Sequence, residues 1–586
     1  MHRTLLLAKS RNLRRISSIK VSPYLQISRC QYHSYPDPNE KPQISKFVST
    51  AERKKKTGLD YAVNPKLFIG AVAAEGECTS SADINSPSFD ILSTVLPNGI
   101  TVVSQDTSGL MTSFSFTVGT GSAFEKQDAG QLGCTNLIEI SAFQHTHARP
   151  TGELAEEMEL LGGMVQCISS KENLMYCVDV LRENVDKAVE LLADTVLNAK
   201  FSKEAMEGAK EVMIIMQTEH PSDALSKDAV QRVAYARTGD GLKSVKDPQM
   251  LGNHHYPPDE KAIGAISVAS VQQFRREQFY GENCVISAAG IDHEHFASLC
   301  RKYFVSTTAT ECSNADVDSE SAVLVIESNP AEAARKRARV PPAFVGGLVT
   351  EQRELKEPFV KTCIGFEIGG WHDPMLIASC VLQQILGGGS SFSAGGPGKG
   401  MYTRLYKDVL NQHYWIESAQ SYVLIQEQAG IIGIDGACAP EHVQHILRVM
   451  VEQLYVFAVE PVSDEELDRA KNMLKSMMMM QLESRLVLCE DIARQYITFG
   501  KRVDPAALCA KIDAVTAEDI MEVGKRILHA NCTPGSLSAP GPAVSCVGEN
   551  VSHMVDYDTI KTFSAGFRQE LLRRKSSIFP FGLGLQ

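Results

Sequence analysis

The chain is expected to fold as an α+β protein built from two homologous domains in tandem. Two observations predict this. In each half, stretches of alternating apolar and small residues give way to apolar residues at helical spacing, the pattern of strands followed by paired helices. Ser202, Glu204, Ala209 and Lys210 also recur as Ser463, Glu465, Ala470 and Lys471, each pair 261 residues apart. Four matches are weak alone, but with the same order of strands and helices on both sides they point to duplication.

The first domain is placed at 91–326. Asn98-Gly99 stands between two extended stretches, Ile91 onward and Ile100 to Val103, and predicts a hairpin. Phe114, Phe116 and Val118 alternate with Ser115 and Thr117, as in a half-buried strand. Val185, Ala188, Leu191, Leu192 and Val196 have helical spacing, and Ser202 is positioned to cap a further helix. Residues 327–347 form a linker whose Lys336, Arg337 and Arg339 lie among prolines and glycines. A solvated, exposed connection is the reading there, against a nucleic-acid site. The second domain is placed at 348–586. Ile364, Phe366 and Ile368 alternate as a strand, Ile377, Val381 and Ile385 mark a helix, and Ser463 repeats the cap. The quartet Met477-Met478-Met479-Met480 lies in a charged helical context and is read as core.

Composition narrows the function. With 586 residues and 44% hydrophobic content there is material for two cores. A net charge of −12 argues against general nucleic-acid binding and favours attraction of basic peptides. The 15 cysteines include no CxxC pair, so buried free thiols are expected. No apolar run approaches a membrane span. Residues 1–35 differ from the rest: Arg3, Lys9, Arg11, Arg14, Arg15, Lys20 and Arg29 alternate with leucine and isoleucine, and the first acid is Asp37. That is the pattern of a mitochondrial targeting peptide. Residues 36–90 are polar, broken by prolines, and read as an irregular extension.

The most distinctive motif is Gly387-Gly388-Gly389-Ser390-Ser391-Phe392-Ser393-Ala394-Gly395-Gly396-Pro397-Gly398-Lys399-Gly400. It is no phosphate loop, because Lys399 is followed by Gly400 where that loop needs Ser or Thr. Its serines lie in no Gly-x-Ser-x-Gly elbow. A mobile binding loop that brings backbone groups close to a peptide fits best. Other clusters carry less. His145 and His147, and the pair His254 and His255, have no ligand set around them that a metal site needs.

The two-half layout and the stretch Gly133-Cys134-Thr135-Asn136-Leu137-Ile138-Glu139-Ile140 resemble the pitrilysin-like M16 metallopeptidases, whose signature is His-x-x-Glu-His on a helix. Asn136 and Ile140 stand where the zinc histidines of that family would be, and Ala209 aligns with its glutamate ligand. Only Glu139, the water-activating position, is kept. No catalytic residue and no metal ligand is therefore expected in this chain. The glycine loop, with Met401 to Trp415 after it, is similar to the zinc-less alpha type of the mitochondrial processing peptidases. So is Ser169-Ser170-Lys171-Glu172-Asn173-Leu174-Met175-Tyr176, where the family commonly has arginine at Lys171. The resemblance spans about Leu92 to Gly500. It implies two metallopeptidase-like domains forming half of a clamp-shaped heterodimer, with zinc in the homologous beta-type partner. It also implies substrate binding by Gly387 to Gly400, basic mitochondrial presequences as the peptide, and a place in the matrix or on the matrix face of the inner membrane. Glu367, Asp373, Glu417 and Asp435 are candidates for an acidic inner wall. Relatives also serve as core subunits of the cytochrome bc1 complex, so a structural respiratory role stays open.

Overall fold

The computed structural model describes residues 91–562 and 564, apart from 108, 151, 236–250, 306–322, 340, 354–357, 392–399, 531–540, 550 and 552–554. The leader expected over 1–35, the extension over 36–90 and the centre of the glycine loop, 392–399, lie outside the described residues.

The first half runs β1 (Ile91–Val95), β2 (Thr101–Gln105), β3 (Met111–Val118), α1 (Cys134–Ser141), α2 (Glu153–Leu160), β4 (Met164–Ser169) and β5 (Leu174–Leu181). It continues through α3 (Val185–Leu197), α4 (Lys203–Glu219), α5 (Ser222–Ala234), α6 (Glu260–Ala265), α7 (Val268–Gln278), β6 (Cys284–Ala289) and α8 (His293–Phe304). A short helix, α9 (Pro330–Arg337), lies in the connection. The second half runs β7 (Gly347–Gln352), β8 (Val360–Gly369), α10 (Leu376–Leu386), β9 (Gly388–Ser390), a π-helical turn (Leu405–Leu410), β10 (Ile416–Ile425) and β11 (Ala429–Cys438). It ends with α11 (Val443–Tyr455), α12 (Asp464–Leu482), α13 (Arg485–Phe499), α14 (Pro505–Asp513), α15 (Ala517–Ala530) and β12 (Ala543–Gly548).

The duplication is visible in the sheets. Their orders are β1-β2-β6-β3-β5-β4 and β7-β12-β8-β11-β10-β9. Five strands superpose in order and direction: β2-β6-β3-β5-β4 on β7-β12-β8-β11-β10, with β2 parallel to β6, β7 parallel to β12, and the remaining pairs antiparallel. Each half adds one edge strand. In the first it is β1, joined to β2 through Asn98 and Gly99, whose φ of +89° suits a residue without Cβ. In the second it is β9, the opening of the glycine motif. Ser202 and Ser463 are N-caps of the equivalent helices α4 and α12, accepting from the amides of Ala205 and Glu466.

The halves exchange helices. α5 packs on β12 and β8 of the second sheet, and α13 packs on β6 and β3 of the first. The contacts are matched: Ser545 Oγ donates to Ser226 O at 2.7 Å, and Ser287 Oγ donates to Cys489 O at 2.9 Å. This corrects the expectation of a half-buried β3. Ser113, Ser115 and Thr117 are as buried as Phe114 and Phe116, because α13 covers the face they occupy. Small residues are required there: Ser115 Oγ lies 2.9 Å from Ser287 Oγ and within reach of Cys489 Sγ. On β8, a Cβ on Gly365 would crowd Val230 of α5. The opposite face of the first sheet holds the main core, where Phe114 packs on Phe296 and Phe116 stacks on Phe304. Each such ring adds about 1.5–3 kcal/mol by leaving water.

Two readings of exposure need correction. The connection is exposed at Arg335 and Arg337, but Lys336 turns inward onto Gly119 O and Asn283 Oδ1, and Arg339 stacks on Phe124. The apolar stem and ring face make inward burial favourable once the ammonium finds carbonyl partners. The methionine quartet is not core: Met477, Met479 and Met480 are exposed. Helical spacing alone does not say which face meets solvent. The described cysteines are all free, and most are buried. Among the described residues no helix is long and apolar enough to cross a membrane.

Candidate functional site

α1 begins at Gly133, whose φ of +87° turns the chain into the helix. The buried Glu125 carboxylate accepts the amides of Gly133 (2.8 Å) and Thr135 (2.7 Å), placing negative charge at the positive helix end. Burial nevertheless pushes Glu125 up to about 7. One turn on, Glu139 Oε2 accepts from Ser169 Oγ at 2.6 Å and from Asn136 Nδ2 at 3.3 Å. Burial raises Glu139, with these two donors opposing the rise. The one retained member of the motif therefore ties α1 to the end of edge strand β4.

Ile140 and Ala209 face each other across α1 and α4, lining one cavity of about 670 Å³ with Val212, Ala205, Lys200 and Glu204. Neither side chain offers a donor, and the Asn136 amide is occupied with Glu139. These residues do not fit a catalytic zinc. Among the described residues, no three of His, Cys, Asp and Glu gather as a metal site. The rings of the second pair are hydrogen-bonded, His254 Nε2 with Arg232 Nη1 at 3.4 Å and His255 Nδ1 with Ser122 Oγ at 3.5 Å. Burial first, then Arg232 and Lys171 respectively, hold His254 and His255 down at about 4.

The Ser169 to Tyr176 stretch crosses between β4 and β5 and is buried at Lys171 and Glu172. Lys171 Nζ is 2.6 Å from Asp228 and donates to Asn253 O at 2.5 Å. Burial pulls Lys171 down, while burial of Asp228 is outweighed by Lys171 and Arg232, which hold that carboxyl low. Glu172 Oε2 accepts the Glu427 amide at 2.7 Å, a bond between the two halves. Burial pushes Glu172 up to about 7.

The described ends of the glycine loop are built into the second sheet. β9 pairs with β10 at Ser418 to Gln420, and Ser391 N donates to Glu417 O at 2.7 Å. Gly387 O accepts from Ser421 N and Ser421 Oγ. Thr403 Oγ1 takes the Gly388 amide (3.2 Å) and donates to Gly400 O (2.7 Å), so one hydroxyl holds both ends of the loop. Tyr406 OH donates to Ser390 O at 3.4 Å. Glycine is needed at two of these positions: a Cβ on Gly388 would overlap the Ala419 carbonyl, and one on Gly389 would stand 2.5 Å from Tyr406 Oη. Thr403 and Tyr406 stood in the motif without an assigned role, and their side-chain types gave no local signal of it. Arg404, next to them, grips Glu466 through Nε and Nη2 at 2.9 Å each.

Of the acidic-wall candidates, Glu417 adjoins the loop through its carbonyl. Asp373 is bound to Arg526 and the Met375 amide, and Asp435 pairs with Lys227. Burial raises Glu367. The structure therefore brings only Glu417 to the loop root.

Two family models match: the inactive domain of peptidase M16 over 265–474 and the insulinase domain of peptidase family M16 over 101–242. The alpha subunit of the mitochondrial-processing peptidase of Neurospora crassa is 30% identical over 77% of this chain and 85% of its own length. Those of Solanum tuberosum (31%, 76% and 81%) and Bos taurus (29%, 81% and 84%) are similar. In fold, the chain matches one in the complex III2 structure from Candida albicans with a TM-score of 0.62 at 17% identity, covering 81% of this chain and 99% of that one. With two M16-like α+β domains and a relative 30% identical over most of both chains, the chain belongs to the M16 peptidases, among the members similar to the alpha subunit of the mitochondrial-processing peptidase.

Proposed function

We propose that the chain is the non-catalytic, presequence-binding alpha-type subunit of a mitochondrial processing peptidase, working beside a homologous zinc-bearing beta-type subunit in the matrix or on the matrix face of the inner membrane. The observation that carries this is that Ile140 and Ala209, which line one cavity, offer no donor to a metal, in a chain that keeps the glycine loop. In this reading the chain contributes binding and alignment, and the partner contributes metal chemistry. Both ends of the loop are clasped by Thr403 at the edge of the second sheet, which anchors it there for a peptide to meet. The acidic body, net −12, draws basic presequences toward it.

Native mass spectrometry of the chain purified from mitochondria tests this. A one-to-one complex with a homologue carrying intact His-x-x-Glu-His is expected. Monomer or homodimer alone would sink the proposal. Recovery only with cytochromes from detergent-solubilised membranes would instead support a structural role in the cytochrome bc1 complex.

A further inference from the structure

We propose that one face of α12, with the half-buried Met473 and the exposed Met477 and Met480, headed by Tyr402, forms a docking track for the apolar face of a basic amphipathic peptide segment. This rests on the reading that the chain binds presequences. It places their apolar side chains on a surface separate from the glycine loop.

The three methionines are spaced i, i+4 and i+7, which puts them on one helical face. Met480 is 62% exposed, Met477 38% and Tyr402 73%. The track starts where the loop returns to the body. Met473 Cε lies 3.7 Å from the place a Cβ would take on Gly400, and Arg469 Nη2 donates to Tyr402 O at 3.2 Å. A peptide leaving the loop meets methionine next.

Charge on α12 is sorted around this face. Glu465 and Glu483 are exposed along one flank of the stripe and have no ion pair among the described residues. Lys471 and Lys475 lie on the opposite face of the helix, with Asp468, and both are held by Asp513. An apolar stripe edged by open carboxylates complements a peptide with leucines on one face and arginines beside them. Methionine suits the task because its flexible, polarizable side chain adapts to varied partners, as a processing enzyme's many substrates require. The duplicated helix supports a surface kept open: α4 exposes Val212, Ile215 and Met216 at the positions matching Met473, Ser476 and Met477.

The test uses the full chain and a dye-labelled synthetic peptide of residues 2–21 of this sequence, read by fluorescence anisotropy. Replacing Met477→Gln and Met480→Gln together should raise Kd about tenfold, whereas Met477→Leu with Met480→Leu should leave it within about twofold. Unchanged thermal midpoints establish that both variants fold. Equal affinity of wild type and the Gln variant would overturn the track and leave the presequence-binding reading standing. No binding by wild type would overturn both. If the Gln variant keeps peptide affinity but loses its partner chain on purification, the stripe is a subunit interface and the proposal fails.

Discussion

Replacing Gly388 by alanine should loosen the root of the glycine loop without unfolding the domain. Gly388 has a φ of +103°, and an added Cβ would overlap the Ala419 carbonyl of the neighbouring strand. Holding alanine in that region costs on the order of 1–3 kcal/mol before the clash is counted. The escape is for β9 to leave β10. That forfeits four bonds: Ser391 N to Glu417 O, Ser421 N and Ser421 Oγ to Gly387 O, and Gly388 N to Thr403 Oγ1. At about 0.5–1.5 kcal/mol each, separation costs about 2–6 kcal/mol. The strain in the paired state lowers the local opening free energy by about 1–3 kcal/mol, so the amides of Ser391 and Ser421 should exchange roughly ten- to a hundredfold faster. The β10–β11 ladder is independent of β9 and should keep its protection. Hydrogen exchange read by mass spectrometry over 387–391 and 416–425 is the assay. Unchanged exchange at Ser391 and Ser421 would refute the argument that glycine is required for strand approach here.

Lys171→Met should lower stability by about 3–5 kcal/mol, read as a shift in denaturant midpoint, because it leaves the buried Asp228 carboxylate with only Arg232 and the His255 amide. Glu172 is held up at about 7 by burial, above its unfolded value near 4.5. Its contribution is therefore full below 4.5, is lost as pH rises from 4.5 to 7, and is flat beyond. Glu172→Gln should remove up to about 3 kcal/mol of that pH dependence, seen as a flatter plot of thermal midpoint against pH. The combined change Asn136→His, Ile140→His and Ala209→Glu should create a site that retains about one zinc per chain after gel filtration, measured by metal analysis, since Ile140 and Ala209 share a cavity. Ile492→Ala should cost about 2–5 kcal/mol and raise exchange in β6 of the first half, because Ile492 packs there from the second.

Local grammar was legible in the sequence. The serine caps at 202 and 463, the Asn98-Gly99 turn and the helices over Val185 and Ile377 all depend on residues a few positions apart. What was not legible depends on distant partners. Alternation at β3 predicts one buried face, yet α13 arrives from the other half and buries Ser115 as well. The same limit hid the Ser169 bond to Glu139 and the Lys171 bond to Asp228, since neither Ser169 nor Asp228 lies in a recognisable motif with its partner. The methionine quartet was misread for a related reason. Hydrophobicity says that a face prefers cover, but not whether this chain supplies it. Lys336 shows the reverse: a charge in a basic, proline-rich connection looks solvated until Gly119 and Asn283 are brought beside it.

The central claim is a division of labour, with binding in this chain and zinc chemistry in a homologous partner. Steady-state cleavage of a synthetic presequence tests it most directly, comparing the purified chain, the purified zinc-bearing partner and an equimolar mixture. No cleavage by this chain alone is expected, and a kcat/KM for the mixture at least tenfold above that of the partner alone, worth about 1.4 kcal/mol of transition-state positioning. Cleavage by this chain alone with stoichiometric zinc, or a mixture no faster than the partner, would contradict it.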